Sequence, residues 1–340
     1  MQVKWHRKVG GLLASVSACL GFIVLPLLPR RAVLWLSRAL GRMGYSILPY
    51  MRRVAFSNLD TAFGDSLTAG QKEAIVRQVF GTSALVLLDF FWFILFTKRR
   101  LRRYVKFDPS FECCFDLSPL IGVTAHLGNW EIMGDAVALR GCPYISIARP
   151  LRNRFLHMLL MTLRARGGQQ IVWKSGAVRS LLRILQQGGR TGLLMDQNTV
   201  PRDGGIYVSF FGLPAPISKI VHLLASKSGA KVVFVYCTAD EKGNYTISAL
   251  PPFSVDEGPY NSTIAVTQHI ASQTESVIRE HPGQWMWMYR RWRYIPPGVS
   301  SAGYPFYAKK IPPAFMGRHQ SATGEATGEA ACVGDQVRRE

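Results

Sequence analysis

The chain has 340 residues, 48% of them hydrophobic, and a formal net charge of +20. That length and apolar share allow one large core or two modest ones and exclude general disorder. Residues 1–106 hold 17 Lys and Arg against 4 Asp and Glu. The basic end is also the apolar end, a pairing that favours an anionic membrane surface over nucleic acid.

A basic leader, MQVKWHRK, precedes a nearly uncharged run from Gly10 to Pro29. About 20 such residues suffice to cross a bilayer. The absence of a small-residue cleavage site before Arg30 and Arg31 points to an uncleaved anchor over residues 1–31. Basic residues on both flanks leave a true span and a shallow insertion equally open. Residues 32–106 read as helices: AVLWLSRALGRMGYSIL, MRRVAFSNLDTAF, and a segment after Thr68 that is apolar on most sides towards its end. The basic cluster from Lys98 to Lys106 follows, either a solvated patch or a docking surface for lipid headgroups or an acidic partner.

From residue 119 the pattern becomes strands alternating with helices. Strand-like runs fall at 120–125, 144–148, 170–173, 191–195, 231–238 and 245–250. The expected fold is α/β, with a mainly parallel central sheet covered by helices. The core would span 107–295 and carry an N-terminal membrane-anchoring helix and helical region. A helix is expected over TIAVTQHIASQTESVIREH, stopped by Pro282-Gly283, then a stretch QWMWMYRRWRY that reads as a packed helix end or as an interfacial anchor. Residues 296–340 form a tail, expected to be disordered from about 313, where ATGEA repeats.

Ligands of parallel sheets collect at the carboxyl ends of strands. His126, Arg149 and Asp196 each follow a predicted strand. His126 and Glu131, in HLGNWE, are spaced so that a turn can bring base and carboxylate together, the arrangement of a general base oriented by an acid. A histidine satisfied structurally beside a surface glutamate fits the same two residues. Asn129 is either a substrate donor or the cap of the following helix. The six cysteines, at 19, 113, 114, 142, 237 and 332, form no CxxC pair and no zinc-ligand spacing, and are expected to be free thiols. No Walker-A, HExxH or GxSxG sequence is present, so nucleotide hydrolysis, zinc proteolysis and the usual serine-hydrolase elbow lack support.

Five blocks, HLGNWE (126–131), ARPLRNRFLHMLLMTLRARGG (148–168), GLLMDQN (192–198), VSFFGLPAPIS (208–218) and QWMWMYRRWRY (284–294), stand in the order seen in the lipid A biosynthesis acyltransferases. The chain resembles this HtrB-like branch of the lysophospholipid acyltransferase superfamily over roughly residues 10–295. The resemblance implies transfer of a fatty acyl chain from an acyl carrier protein thioester, or acyl-CoA in some branches, to a hydroxyl of a membrane glycolipid. A lipid A precursor is the default acceptor. The setting would be the cytoplasmic face of a bacterial inner membrane. The family's HxxxxE motif falls on His126 and Glu131, with Glu131 implied to hold the imidazole. Arg164 matches an arginine that contacts phosphate or the oxyanion, Asp196 and Gln197 match a DQ block that shapes the acceptor site or braces the arginine, and Arg149 is a further candidate phosphate contact. No metal or cofactor is implied, nor any nucleic acid; the partners expected are the carrier protein and anionic lipid, and the chain is expected to be a monomer.

Overall fold

A computed structural model describes residues 21–148, 170–173 and 176–316. The leader, most of the expected anchor, Arg149, Arg164 and the helix expected between them lie outside the described residues.

After a helical end at 21–24, four helices follow: α1 (Arg30–Ile47), α2 (Pro49–Phe63), α3 (Ala69–Trp92) and α4 (Thr97–Tyr104). Helix α3 starts where the sequence signals it, because Thr68 and Gln71 form a reciprocal capping box. It ends earlier than its apolar run, since Phe96 takes a left-handed turn before α4. Helix α1 packs closely on α3 through two glycines. A Cβ on Gly41 would lie 2.7 Å from the Cα of Gly81, so the approach requires a residue without a side chain at position 41. Among the described residues, α3 is the one helix long and apolar enough to cross a membrane.

The rest is a seven-stranded sheet: β1 (Val105–Phe107), β2 (Leu120–Thr124), β3 (Ile145–Ala148), β4 (Gln170–Trp173), β5 (Arg190–Leu194), β8 (Lys231–Ala239) and β9 (Tyr245–Ala249), in the order β1-β9-β8-β2-β5-β3-β4. All neighbours are parallel except β8 and β9. The reversal has a simple cause: residues 240–244 form a tight turn, too short for the crossover that a parallel pair needs. Because β9 runs backwards, its first residue, Tyr245, sits at the sheet edge where β2, β5 and β8 end.

Two apolar clusters fill the two faces of the sheet. Helices α6 (Trp130–Leu139), α7 (Ala177–Gln186), α8 (Ile220–Ser228) and α9 (Thr263–Glu280) cover it, while α5 (Cys113–Asp116) is a short turn beside β1. A separate hairpin, β6 (Gly205–Phe210) with β7 (Leu213–Ser218), packs under α9.

The block VSFFGLPAPIS forms most of this hairpin, and α8 begins after it, at Ile220. One expectation is corrected. QWMWMYRRWRY is not a helix end but an irregular strap. Trp285, Trp287, Arg291 and Trp292 are fully buried, which removes those three tryptophans as interfacial anchors. The tail from 296 is folded through at least 311: Lys309–Lys310 (β11) pairs with Tyr294–Ile295 (β10), and the Tyr307 hydroxyl donates to Asn58 on α2.

Candidate functional site

Strands β2 and β5 are parallel and in register, with Thr124 opposite Leu194. Two residues beyond each stand His126 and Asp196, and the Met195 amide still donates to the Thr124 carbonyl at 2.9 Å. The sheet itself therefore delivers the histidine beside the aspartate. His126 Nδ1 lies 2.8 Å from Asp196 Oδ1, and the His126 amide donates to Oδ2 at 3.0 Å. Trp285 Nε1 donates to the same Oδ2 at 2.9 Å. With a carboxylate at Nδ1, that nitrogen carries the proton in the neutral ring, leaving the Nε2 lone pair free to accept one.

Burial alone would lower the His126 pKa, but the Asp196 charge, the hydrogen bond to it and the Glu131 charge outweigh burial and raise it. Burial pushes Asp196 the other way. The imidazole charge, the ring and backbone hydrogen bonds of His126 and the Trp285 donor hold its carboxyl below the usual range. The aspartate stays ionised and the histidine is a stronger base than a free imidazole.

The turn after β2 is clamped from three sides. Gly128 has a φ of +57°, and a Cβ there would lie 1.7 Å from the Cys237 carbonyl at the end of β8. Its amide donates to the Gln284 carbonyl at 2.9 Å. Trp130 meets the His126 ring at 67°, with centroids 4.9 Å apart. A cleft beside the imidazole is lined by Val79, Thr82 and Val86 of α3 and by Trp130, Trp285 and Met286.

The residues singled out from sequence have separate fates. His126 and Asp196 are brought together, and Gln197 joins them: its Nε2 lies 3.3 Å from His126 Nε2 at the exposed mouth. Glu131 sits in the first turn of α6, close enough for its charge to act on His126, but the bond that orients the ring comes from Asp196. Asp196 thus stands at Nδ1, beside the Glu131 that the resemblance pairs with the ring. Asn129 is fully buried. Its Oδ1 accepts from the Ile132 amide at 3.1 Å and its Nδ2 donates to the Tyr245 hydroxyl at 3.1 Å, so it is the helix cap and not a substrate donor. Arg149 and Arg164 lie outside the described residues.

Sequence reasoning missed Trp285 and Asn198. Asn198 Oδ1 accepts from Arg291 Nη1 at 2.6 Å, its backbone amide donates to the Tyr289 hydroxyl at 3.0 Å and its Nδ2 donates to the Arg290 carbonyl at 2.9 Å. The buried strap thus grips the Asp196-Gln197-Asn198 turn. Its density of aromatics and arginines was visible, but its target was not.

A parallel sheet with a base and an oriented carboxylate at its carboxyl edge defines an α/β protein equipped for proton transfer. Residues 4–294 match the model of the bacterial lipid A biosynthesis acyltransferases, and the chain belongs to that family. It is 25% identical over 170 residues to a phosphatidylinositol mannoside acyltransferase of Mycobacterium tuberculosis strain H37Rv, covering 49% of this chain and 52% of that protein. The chain thus spans about half the length of the mycobacterial relatives it matches. Against the lipid A biosynthesis palmitoleoyltransferase of Escherichia coli K12 the identity is 22% over 283 residues, covering 81% of this chain and 89% of the relative. Among solved structures it is similar to PlsC, the 1-acyl-sn-glycerophosphate acyltransferase of Thermotoga maritima, with a TM-score of 0.35 and 14% identity, over 74% of this chain and 99% of that chain.

Proposed function

We propose that this protein transfers a fatty acyl group from an acyl carrier protein thioester to a hydroxyl of a membrane glycolipid, with His126 as general base. The observation that carries the reading is the 2.8 Å contact of Asp196 with Nδ1, which turns a basic Nε2 toward the open mouth. The acceptor O–H gives its proton to Nε2 while its oxygen attacks the thioester carbonyl. The tetrahedral intermediate collapses with cleavage of the C–S bond, and the imidazolium returns the proton to the leaving sulfur. Asp196 orients the ring and stabilises its cationic form, Glu131 adds negative charge, and no covalent serine is required. Gln197, at Nε2, occupies the place where the acceptor hydroxyl must arrive. Arg149 and Arg164 remain candidates for phosphate or oxyanion contact by their place in the family's blocks.

The relatives' names support a glycolipid acceptor: some are named as acyltransferases of phosphatidylinositol mannoside, others as acyltransferases of lipid A biosynthesis. We take the lipid A precursor as acceptor, since the matches to lipid A enzymes extend over most of the chain. The exposed Trp35, Met43 and Ile47 of α1 and the basic α4 support work at a bilayer surface, the cytoplasmic face of a bacterial inner membrane.

The test is incubation of wild-type and His126→Ala protein with labelled carrier-protein thioesters and glycolipid acceptors. Label is expected in the lipid, and the variant is expected to lose about 10²- to 10⁴-fold in turnover. Full activity in His126→Ala would exclude this base. Label released only as free fatty acid would make the protein a thioesterase.

A further inference from the structure

The acyl-transfer reading leaves a buried polar chain unused. Arg30, at the start of α1, pairs with Asp89 near the end of α3, and its Nη2 also donates to the Gly243 carbonyl at 2.6 Å. The Tyr245 hydroxyl donates to Asp89, and Asn129 Nδ2 donates to the Tyr245 oxygen at 3.1 Å. None of the four residues is more than 7% exposed. The Arg30 guanidinium lies over Trp92 at 4.9 Å, with Tyr104 and Tyr245 also against it.

A buried ion pair is a poor way to stabilise a core, because apolar residues of similar volume commonly do as well. What this one supplies is direction. Burial pushes the Asp89 carboxyl up, but both of its oxygens face donors, Oδ1 the Arg30 Nη1 and Oδ2 the Arg30 Nη2 and the Tyr245 hydroxyl. Asp89 therefore acts as the acceptor, fixes the Tyr245 proton toward itself and leaves the tyrosine oxygen as an acceptor. That oxygen in turn fixes the Asn129 amide with nitrogen inward and oxygen toward the Ile132 amide, the orientation that caps α6. Asn129 stands three residues after His126 and two before Glu131.

We propose that Tyr245 and Asp89 are positioning residues: through Asn129 they hold the turn carrying His126 and Glu131, and Arg30 ties that turn to the root of the N-terminal helices. This rests on the acyl-transfer reading for its rate measurement, though not for its spectroscopic one. In Tyr245→Phe the ring remains and Asn129 Nδ2 loses its acceptor in a dry site, a cost relieved only by moving the turn. Turnover per folded molecule is expected to fall about 10- to 100-fold, with KM for the thioester changed less than twofold.

Asn129→Ser in the Tyr245→Phe background keeps a cap and replaces the orphaned amide N–H group with a single hydroxyl, which can turn to a backbone acceptor. It is expected to restore most of the lost turnover. The neutral pair Arg30→Gln with Asp89→Asn, close in volume to the wild type, is expected to show the same split of kcat from KM. Wild-type turnover in Tyr245→Phe, or a loss that Asn129→Ser does not relieve, would overturn the proposal. If the wild-type protein transfers no acyl group at all, the functional reading fails separately. The positioning proposal is then decided by the imidazole ¹⁵N resonances of His126, assigned by their loss in His126→Gln. Resonances displaced in Tyr245→Phe and returned by Asn129→Ser support it, and unchanged ones overturn it.

Discussion

His126 and Asp196 are each pulled in opposite directions by burial and by one another, and the pairing prevails in both. The consequences for pH follow from the signs. The His126 pKa is raised on folding, so its share of stability is complete below about 6.5 and is lost as pH rises through the folded value. Asp196 is lowered on folding, so its share is present above about 3.9 and is lost as pH falls through its folded value. A base must be unprotonated to act, so the acid limb of kcat/KM is expected above about pH 6.5. Asp196→Asn removes the charge that raises the histidine. Its limb should therefore move to lower pH while the maximal rate falls, and a pH–rate profile that keeps its wild-type limb would disprove this coupling. The base was legible from sequence because an apolar run stops dead at His126. Asp196 was singled out as well, after its own strand, but not as the partner of His126: 70 residues separate the two, and only the in-register pairing of β2 with β5 joins them. Glu131 drew attention by being near in sequence, and it stands in the first turn of α6, where its charge also raises the histidine.

The β2–α6 turn has a tightly constrained backbone. Gly128 combines a positive φ with the Cys237 carbonyl standing where a Cβ would be. Gly128→Ala is expected to cost on the order of 3 kcal/mol, read as a lowered denaturation midpoint with a loss of turnover that exceeds the loss of folded protein. Unchanged melting would mean the turn can relax away from β8. At this scale alternating patterns revealed six strands to within a residue or two. The hairpin β6–β7 escaped because Pro214 and Pro216 argue against a strand, yet both are tolerated in a two-stranded ribbon with open edges. The strap from Trp285 to Trp292 escaped for another reason. Its aromatic spacing fits a helix or an interface equally well, and burial under a folded tail was not foreshadowed by a run of glycine, alanine and glutamate farther on.

Across the whole molecule the charge is concentrated where apolar side chains are exposed. Arg31, Trp35, Arg38 and Arg42 line one stripe of α1, with Met43 and Ile47 beside it, and Lys98, Arg99, Arg102 and Arg103 are exposed on α4. Each basic residue near an anionic bilayer contributes about 1 kcal/mol. Arg99→Ser with Arg103→Ser should thus weaken binding to phosphatidylglycerol-containing vesicles roughly 30-fold, with little change on zwitterionic ones, as measured by co-sedimentation. Equal loss on both vesicle types would assign α4 to something other than headgroup contact. Composition and the alternating pattern were enough to read an α/β core with a basic, apolar front. The seam between them, Gly41 against Gly81 and Arg30 against Asp89, depends on packing that no local pattern announces.

The backward run of β9 has a consequence for the geometry of delivery. Since β1 lies parallel to β9, it too begins at the edge where His126 stands, and α4, which leads directly into β1, arrives at that same edge. Had β9 run with the others, the arginines of α4 would stand at the opposite end of the sheet from the imidazole. One short turn at residues 240–244 instead sets the basic helix and the base at one edge, so that, on the proposed function, a glycolipid whose headgroup met α4 would have its sugar on the side where His126 opens.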